Sequence, residues 1–219
     1  MLYPRHVRSC LIALILLAGG GGAVAQTSDG SLADRVDRYC IRPDGDHRMT
    51  WQRAEEDGYV ALAPGDVPDL RLISTFAPAL RGFRRVEGDR EFRILTSSGR
   101  IMSPDQGVSY FRWCWVSASE DDRGRVDRDL AALLGQRGFR VERVRMFAWL
   151  PRPDGGSEAV SRRVFLRSGW QMAREQGLRQ VTTRQSGRGV FVGYGSPRDE
   201  ATYRDFDWAG PEPLQSPDE

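Results

Sequence analysis

The segment Tyr110-Phe111-Arg112-Trp113-Cys114-Trp115-Val116 constrains the fold of this chain more than any other. Aromatic and β-branched residues suit a pleated, half-buried surface, so the segment reads as a strand. Side chains alternate between the faces of a strand. Tyr110, Arg112, Cys114 and Val116 then share one side, and Phe111, Trp113, Trp115 and Ser117 the other. Cys40 falls in the last turn of a predicted helix, and a Cys40–Cys114 bond would place that helix over the cysteine side. The ring side needs a cover of its own. Buried aromatics are the usual case, so another helix or the C-terminal segment is expected to supply it. Left bare, Phe111, Trp113 and Trp115 would form an apolar patch suited to a protein partner or small ligand.

The cysteine pairing rests on compartment. Residues 1–25 read as a signal peptide: Arg5 and Arg8, a short apolar run from Cys10 to Ala18, then Ala23-Val24-Ala25 as a cleavage site. No stretch after cleavage is long enough to span a bilayer. The expectation is an exported, soluble protein, periplasmic or secreted. Three cysteines become two once Cys10 is removed, an even number in an oxidising compartment. Cys40 and Cys114 are far apart in sequence, unlike a C-x-x-C redox pair. Closing so long a loop contributes on the order of 4 kcal/mol in the chain-entropy model.

Charge narrows the function. The full chain has 32 basic and 30 acidic residues, and every basic residue is Arg. Losing Arg5 and Arg8 brings the balance to zero. That argues against nucleic acid as a partner, which asks for a basic excess, and against a charged membrane anchor. Arginine forms bidentate pairs with carboxylates, so a surface laced with Arg–Asp and Arg–Glu pairs is expected.

Read in order, residues 26–208 form a single domain. Ser31-Leu32-Ala33-Asp34 resembles a capping box that opens a first helix through Cys40. Asp46 caps a second, which Gly58 stops. Residues 60–82 read as irregular, with Leu70, Leu72, Ile73, Phe76 and Leu80 buried. Strands follow at Phe83 to Val86 and Glu91 to Thr96, with a turn at Ser98-Gly99. After the Tyr110 strand, Asp121 or Asp122 caps a helix carrying Val126, Leu130, Leu133 and Leu134. Phe139 to Leu150 reads as one long strand, with Val160 to Leu166 pairing back. Gln185-Ser186-Gly187-Arg188 marks a hairpin between Leu178–Arg184 and Gly189–Tyr194. Ser196-Pro197-x-Asp199 starts a short helix with Pro at its first position. Residues 209–219 read as a disordered, acidic, Pro-rich tail. This order predicts an α+β fold: a mainly antiparallel sheet, helices packed on one face, and one structural disulfide.

Catalytic and metal motifs are not evident. His47 is the one histidine left after the leader, and it reads as a solvated loop residue. Asp44, Asp46 and Glu55 fit positions 1, 3 and 12 of a calcium loop, but Arg48 and Met49 stand where an acid or amide and Gly belong. Capping is the better reading, and no metal or other cofactor is expected. Gly187, Gly189, Gly193 and Gly195 lack the Lys-Ser/Thr of a phosphate loop and read as hairpin glycines. Ser196 lacks the G-x-S-x-G elbow. The runs Glu55-Glu56-Asp57 and Glu120-Asp121-Asp122 read as solvated or capping groups.

The layout Tyr39-Cys40, Ala54-x-x-x-Gly58-Tyr59, then Cys114-x-Val116 and a leucine helix is similar to that of small exported proteobacterial proteins of unknown function. The likeness covers roughly residues 31 to 135 and implies no activity, ligand or catalytic residue. Three expectations follow. The first is a non-enzymatic exported domain binding a protein or small ligand. The second is a cell-envelope hydrolase using distant carboxylates, and the third a structural or assembly factor.

Overall fold

The computed structural model describes residues 30–63, 66, 79–103 and 107–204, with backbone alone for 79, 80, 103, 203 and 204. The predicted leader, the residues from 67 to 78 and the predicted tail lie outside the described residues. Helix α1 (Leu32–Val36) opens on the expected capping box between Ser31 and Asp34. It runs on as a π turn, Asp37–Ile41, which carries Cys40. Helix α2 (His47–Glu56) is capped by Asp46, whose side chain accepts from the Met49 N–H at 3.1 Å.

The strands are β1 (Val60–Ala61), β2 (Ala79–Glu87), β3 (Arg90–Ser103), β4 (Gly107–Ala118), β5 (Phe139–Val141), β6 (Val144–Pro151), β7 (Ser157–Ala159), β8 (Arg179–Ser186) and β9 (Gly189–Arg198). They form one antiparallel sheet in the order β1-β2-β3-β4-β9-β8-β6-β5, with β7 sharing the outer edge of β6 with β5. The Tyr110–Val116 segment is in β4, at the middle. Helix α3 (Arg123–Leu134) starts at the cap Asp122 and ends at Gly135 in the left-handed conformation (φ 61°). Helices α4 (Arg162–Gln176) and α5 (Glu200–Arg204) complete the described elements.

Five expectations change. Residues 60–82 are not irregular throughout, because Val60–Ala61 form β1 and Ala79 begins β2, and the two strands pair. Ser98-Gly99 is no turn: β3 continues through it, with Ser98 opposite Arg112 and Gly99 opposite Phe111. Phe139–Leu150 is not one strand, because Glu142 adopts φ 49° and turns β5 back onto β6. Pro197 lies in β9 opposite Phe111, and the cap of α5 is Asp199, which accepts from the Thr202 N–H. Val160–Leu166 does not pair as a strand. Ser161 caps α4 by accepting from the Val164 N–H at 3.4 Å, and Gly177 closes it in the left-handed region. A short apolar run such as Val164-Phe165-Leu166 suits either structure, and neighbours decide.

Helix α4 also changes the layering. On the cysteine side, Cys114, Val116, Ile94, Phe147, Val181 and Val192 form one core with Val36, Trp51, Val126 and Leu130 of α1–α3. On the ring side, Leu95, Phe111, Trp113, Trp115 and Ala148 form a second core with Met172 and Ala173 of α4. Helices therefore cover both faces, not one. A sheet this broad with a large apolar ring face cannot leave that face to water.

Candidate functional site

The bond between Cys40 and Cys114 is formed, with Cα atoms 5.4 Å apart, and it ties the π turn to the central strand. Its position has a further effect. The chain beyond Cys40 turns at Pro43-Asp44-Gly45 directly over the end of the sheet where Arg112 stands. Asp44 is in the left-handed region (φ 47°), and so is Gly45 (φ 78°). A Cβ on Gly45 would come within 2.8 Å of Arg198 Nη2 and 3.1 Å of Arg112 Cβ, so only glycine lets the turn sit this low.

Asp44 is the hub of what lies there. Arg179 grips its carboxylate with Nε at 2.6 Å and Nη2 at 2.7 Å, a bidentate charge-assisted pair. The Tyr194 hydroxyl donates to Oδ1, and Ser196 Oγ donates to the same atom at 2.8 Å. Arg198 Nη2 lies 3.7 Å away, while its Nη1 donates to Ser196 Oγ and to the Pro197 carbonyl. Arg112 Nη1 donates to the Gly45 carbonyl at 3.1 Å and its Nη2 to that of Thr202 at 3.0 Å. Arg179 and Arg198 thus face one carboxylate, while Arg112 holds the backbone of the turn beside it.

Burial works to raise the Asp44 carboxyl, but the hydrogen bonds from Arg179 and Tyr194 outweigh it and hold the group below its usual range. Burial lowers Arg112 and the charge of Arg198 lowers it further, while that of Asp46 works to raise it. Burial likewise lowers Arg198; Asp44 works to raise it and Arg179 to lower it. Burial pushes the Tyr194 phenol up, with the Asp44 charge adding to it. Asp44 stays an acceptor and Tyr194 a donor at neutral pH, and neither is poised to shuttle a proton. Asp44 keeps 43% of its side-chain surface, against 14% and 15% for Arg179 and Arg198. The cluster is a partly open cradle of donors around Asp44, with Asp46 near Arg112 and Asp199 near Arg198.

His47 borders this cluster and is fully buried, not solvated. Burial drives its imidazole pKa down to about 3, with the charge of Arg112 adding to the fall and the Trp113 backbone opposing it. Asp46 caps α2, so the acids of the calcium-like spacing go to separate tasks. Glu55 pairs with Arg81 and Asp57 with Arg38. Asp121, with a fully shielded side chain, holds Arg90 and Arg125, while Asp122 caps α3. Among the described residues no group of three or more His, Cys, Asp or Glu side chains is arranged to hold a metal ion.

Phe111, Trp113 and Trp115 lie inside, 4%, 9% and 8% exposed, and stack in sequence with centroids 5.2 and 5.9 Å apart. Register explains how they fit. Trp113 is opposite Gly195 and Trp115 opposite Gly193 on β9. A Cβ on Gly193 would stand 2.1 Å from Trp115 Cζ3, and one on Gly195 2.5 Å from Trp113 Cζ3. The indoles therefore lie flat across a strand stripped of side chains, the arrangement in which an aromatic ring protects a neighbouring glycine. Of the glycine-rich stretch, Gly187 serves the hairpin, whereas Gly193 and Gly195 make room for rings.

The chain brings together Asp44, Ser196, Arg112, Arg179, Tyr194 and Arg198, none of which the sequence reading joined. One signal was available: a Cys40–Cys114 bond carries residue 44 toward residue 112. No family model, curated protein or solved structure matches this chain.

Proposed function

We propose that this protein is an exported, non-enzymatic binding domain, periplasmic or secreted, whose site takes an anionic group of a small ligand or protein at the arginine cluster around Asp44. One observation carries the reading: Arg179 and Arg198 face a carboxylate that stays partly open, with Arg112 beside them on the Gly45 carbonyl, and burial lowers both Arg112 and Arg198. A carboxylate or phosphate at the open side of Asp44 would accept hydrogen bonds from the planar forks of these arginines. A hydrolase reading asks for two carboxylates roughly 5 to 9 Å apart across a cleft; this cluster offers one, already committed to Arg179. The disulfide supports export, because such bonds persist in oxidising compartments. Among the described residues, no helix is long and apolar enough to cross a membrane. A purely structural role is favoured by one separate fact, the burial of the ring cluster between sheet and α4.

Titration with inorganic phosphate and, separately, succinate tests the reading, followed by NMR at the arginine Nε–H groups. Saturable shifts at Arg179 and Arg198 are expected, weakening with salt and lost in Arg198→Gln. No saturable shift with either anion, or an unchanged response in Arg198→Gln, overturns it.

A further inference from the structure

The outward face of α4 gathers arginines around an exposed leucine. Residues four apart form rows along a helix. One row is Arg162, Leu166, Trp170 and Arg174, and the row beside it is Arg163, Arg167 and Gln171. All four arginines are exposed, Leu166 is 53% exposed between them, and Trp170 is half-buried. Arg162 Nε donates to the Arg140 carbonyl at 3.0 Å, a contact that leaves its charge uncompensated. Among the described residues, neither Arg162 nor Arg163 nor Arg167 has a carboxylate within ion-pair distance. Glu175, the one acid of the helix, pairs with Arg174. Elsewhere pairing is common, as in Arg38–Asp57, Arg81–Glu55, Arg90–Asp121 and Arg125–Asp121.

We propose that this face is a docking surface for an anionic lipid bilayer. In that pose α4 lies in the interface plane, Leu166 and the Trp170 ring meet the headgroup–acyl boundary, and Arg162, Arg163 and Arg167 contact lipid phosphates. Arginines near an anionic leaflet are each attracted to it, and burial of the exposed Leu166 adds apolar area to that attraction. Charge complementarity selects an anionic surface. The exposed Leu166 beside Trp170, at the middle of the arginine rows, selects lipid over a soluble polyanion, which has no apolar layer to receive it. A balanced total charge does not oppose this, since screening within about 8 Å lets a bilayer sense the patch and not the sum. The inner side of α4 is held by Val164, Phe165, Met172 and Ala173 against the ring-side core, so the helix docks without leaving the sheet.

The test is co-sedimentation of the purified protein with vesicles of phosphatidylcholine alone or mixed with phosphatidylglycerol, with soluble polyphosphate as a separate arm. Binding is expected to the mixed vesicles only, falling with salt. The triple variant Arg162→Gln/Arg163→Gln/Arg167→Gln should bind roughly a hundredfold more weakly. Leu166→Ala should weaken vesicle binding while leaving any response to polyphosphate unchanged. All four positions are exposed, and near-ultraviolet circular dichroism will report whether each variant keeps its fold. Equal binding to both vesicle types overturns the proposal, as does full binding by either variant or capture of polyphosphate that the triple variant loses. Polyphosphate held at the Asp44 cluster, on the other face, would instead be lost in Arg198→Gln and kept by the triple variant, so the two readings fail separately.

Discussion

The two faces of the sheet are closed by different means. On the cysteine face, α1–α3 are stapled by Cys40–Cys114 and tied at the margin by ion pairs. Arg35 joins Glu87 at 2.6 Å with both side chains about nine-tenths buried, donates to the Tyr59 hydroxyl, and lies 3.8 Å over the Phe92 ring. Asp127 accepts from Thr183 Oγ1 and pairs with Arg145. On the ring face, one helix closes the core by packing, and among the described residues Arg162, Arg163 and Arg167 on its outer side have no carboxylate within ion-pair distance. Trp113 Nε1 and Trp115 Nε1 are shielded there without a hydrogen-bond partner. The comparison teaches where specificity resides. The cysteine face relies on directional and covalent links, the ring face on fit between rings and bare backbone.

Removing the staple should have the largest effect. Cys40→Ala/Cys114→Ala is expected to lose about 4 kcal/mol in urea unfolding, because the bond closes a long loop in the unfolded chain. A loss on the ring face of equal size would show that the staple is not what separates the two.

Acid should come next, acting through His47. Its folded pKa, about 3, lies below the unfolded value of 6.5. The unfolded state therefore binds the proton first, and the stability contributed by the neutral imidazole is complete above pH 6.5 and lost as pH falls toward 3. Linkage gives a decline of about 3 kcal/mol between pH 6.5 and pH 4. His47→Gln should flatten the profile in that interval. A profile unchanged by the substitution would assign the acid response to other groups.

Gly193→Ala probes the ring face directly. The new Cβ would meet Trp115 at 2.1 Å, so the ring must leave its place on β9. A loss of about 2 kcal/mol is expected from overpacking, with altered tryptophan fluorescence. Unchanged emission and stability would mean that the rings do not rest on bare backbone.

Smallest of all should be Arg163→Gln on the outside of α4. With no carboxylate to lose, its effect on thermal unfolding should stay within ~0.5 kcal/mol. A larger loss would show that the outer face contributes to the fold and is not reserved for docking.

Much of the architecture is legible locally. Ser31, Asp46 and Asp122 announce helix starts because a short polar side chain satisfies the N–H groups two or three residues on. Gly135 ends α3 because a left-handed residue costs least without a Cβ. The β8–β9 hairpin and the alternation of β4 depend only on neighbours in sequence. Helix α4 was less legible, since its inner residues read equally as a strand until a sheet face stands ready to receive them.

What tertiary structure alone decided is which distant residues meet. Asp44 is 135 residues from Arg179 and 150 from Tyr194, and no local rule joins them. The glycines under Trp113 and Trp115 take their meaning from register between β4 and β9, which is set across the whole sheet. His47 reads as a turn residue in sequence, and packing against Trp51 and the cluster around Asp44 buries it. Capping, turn and alternation signals act over a few residues, so the sequence carries them openly. Burial, register and ion pairing depend on which surfaces meet, and that is known only once both faces have closed.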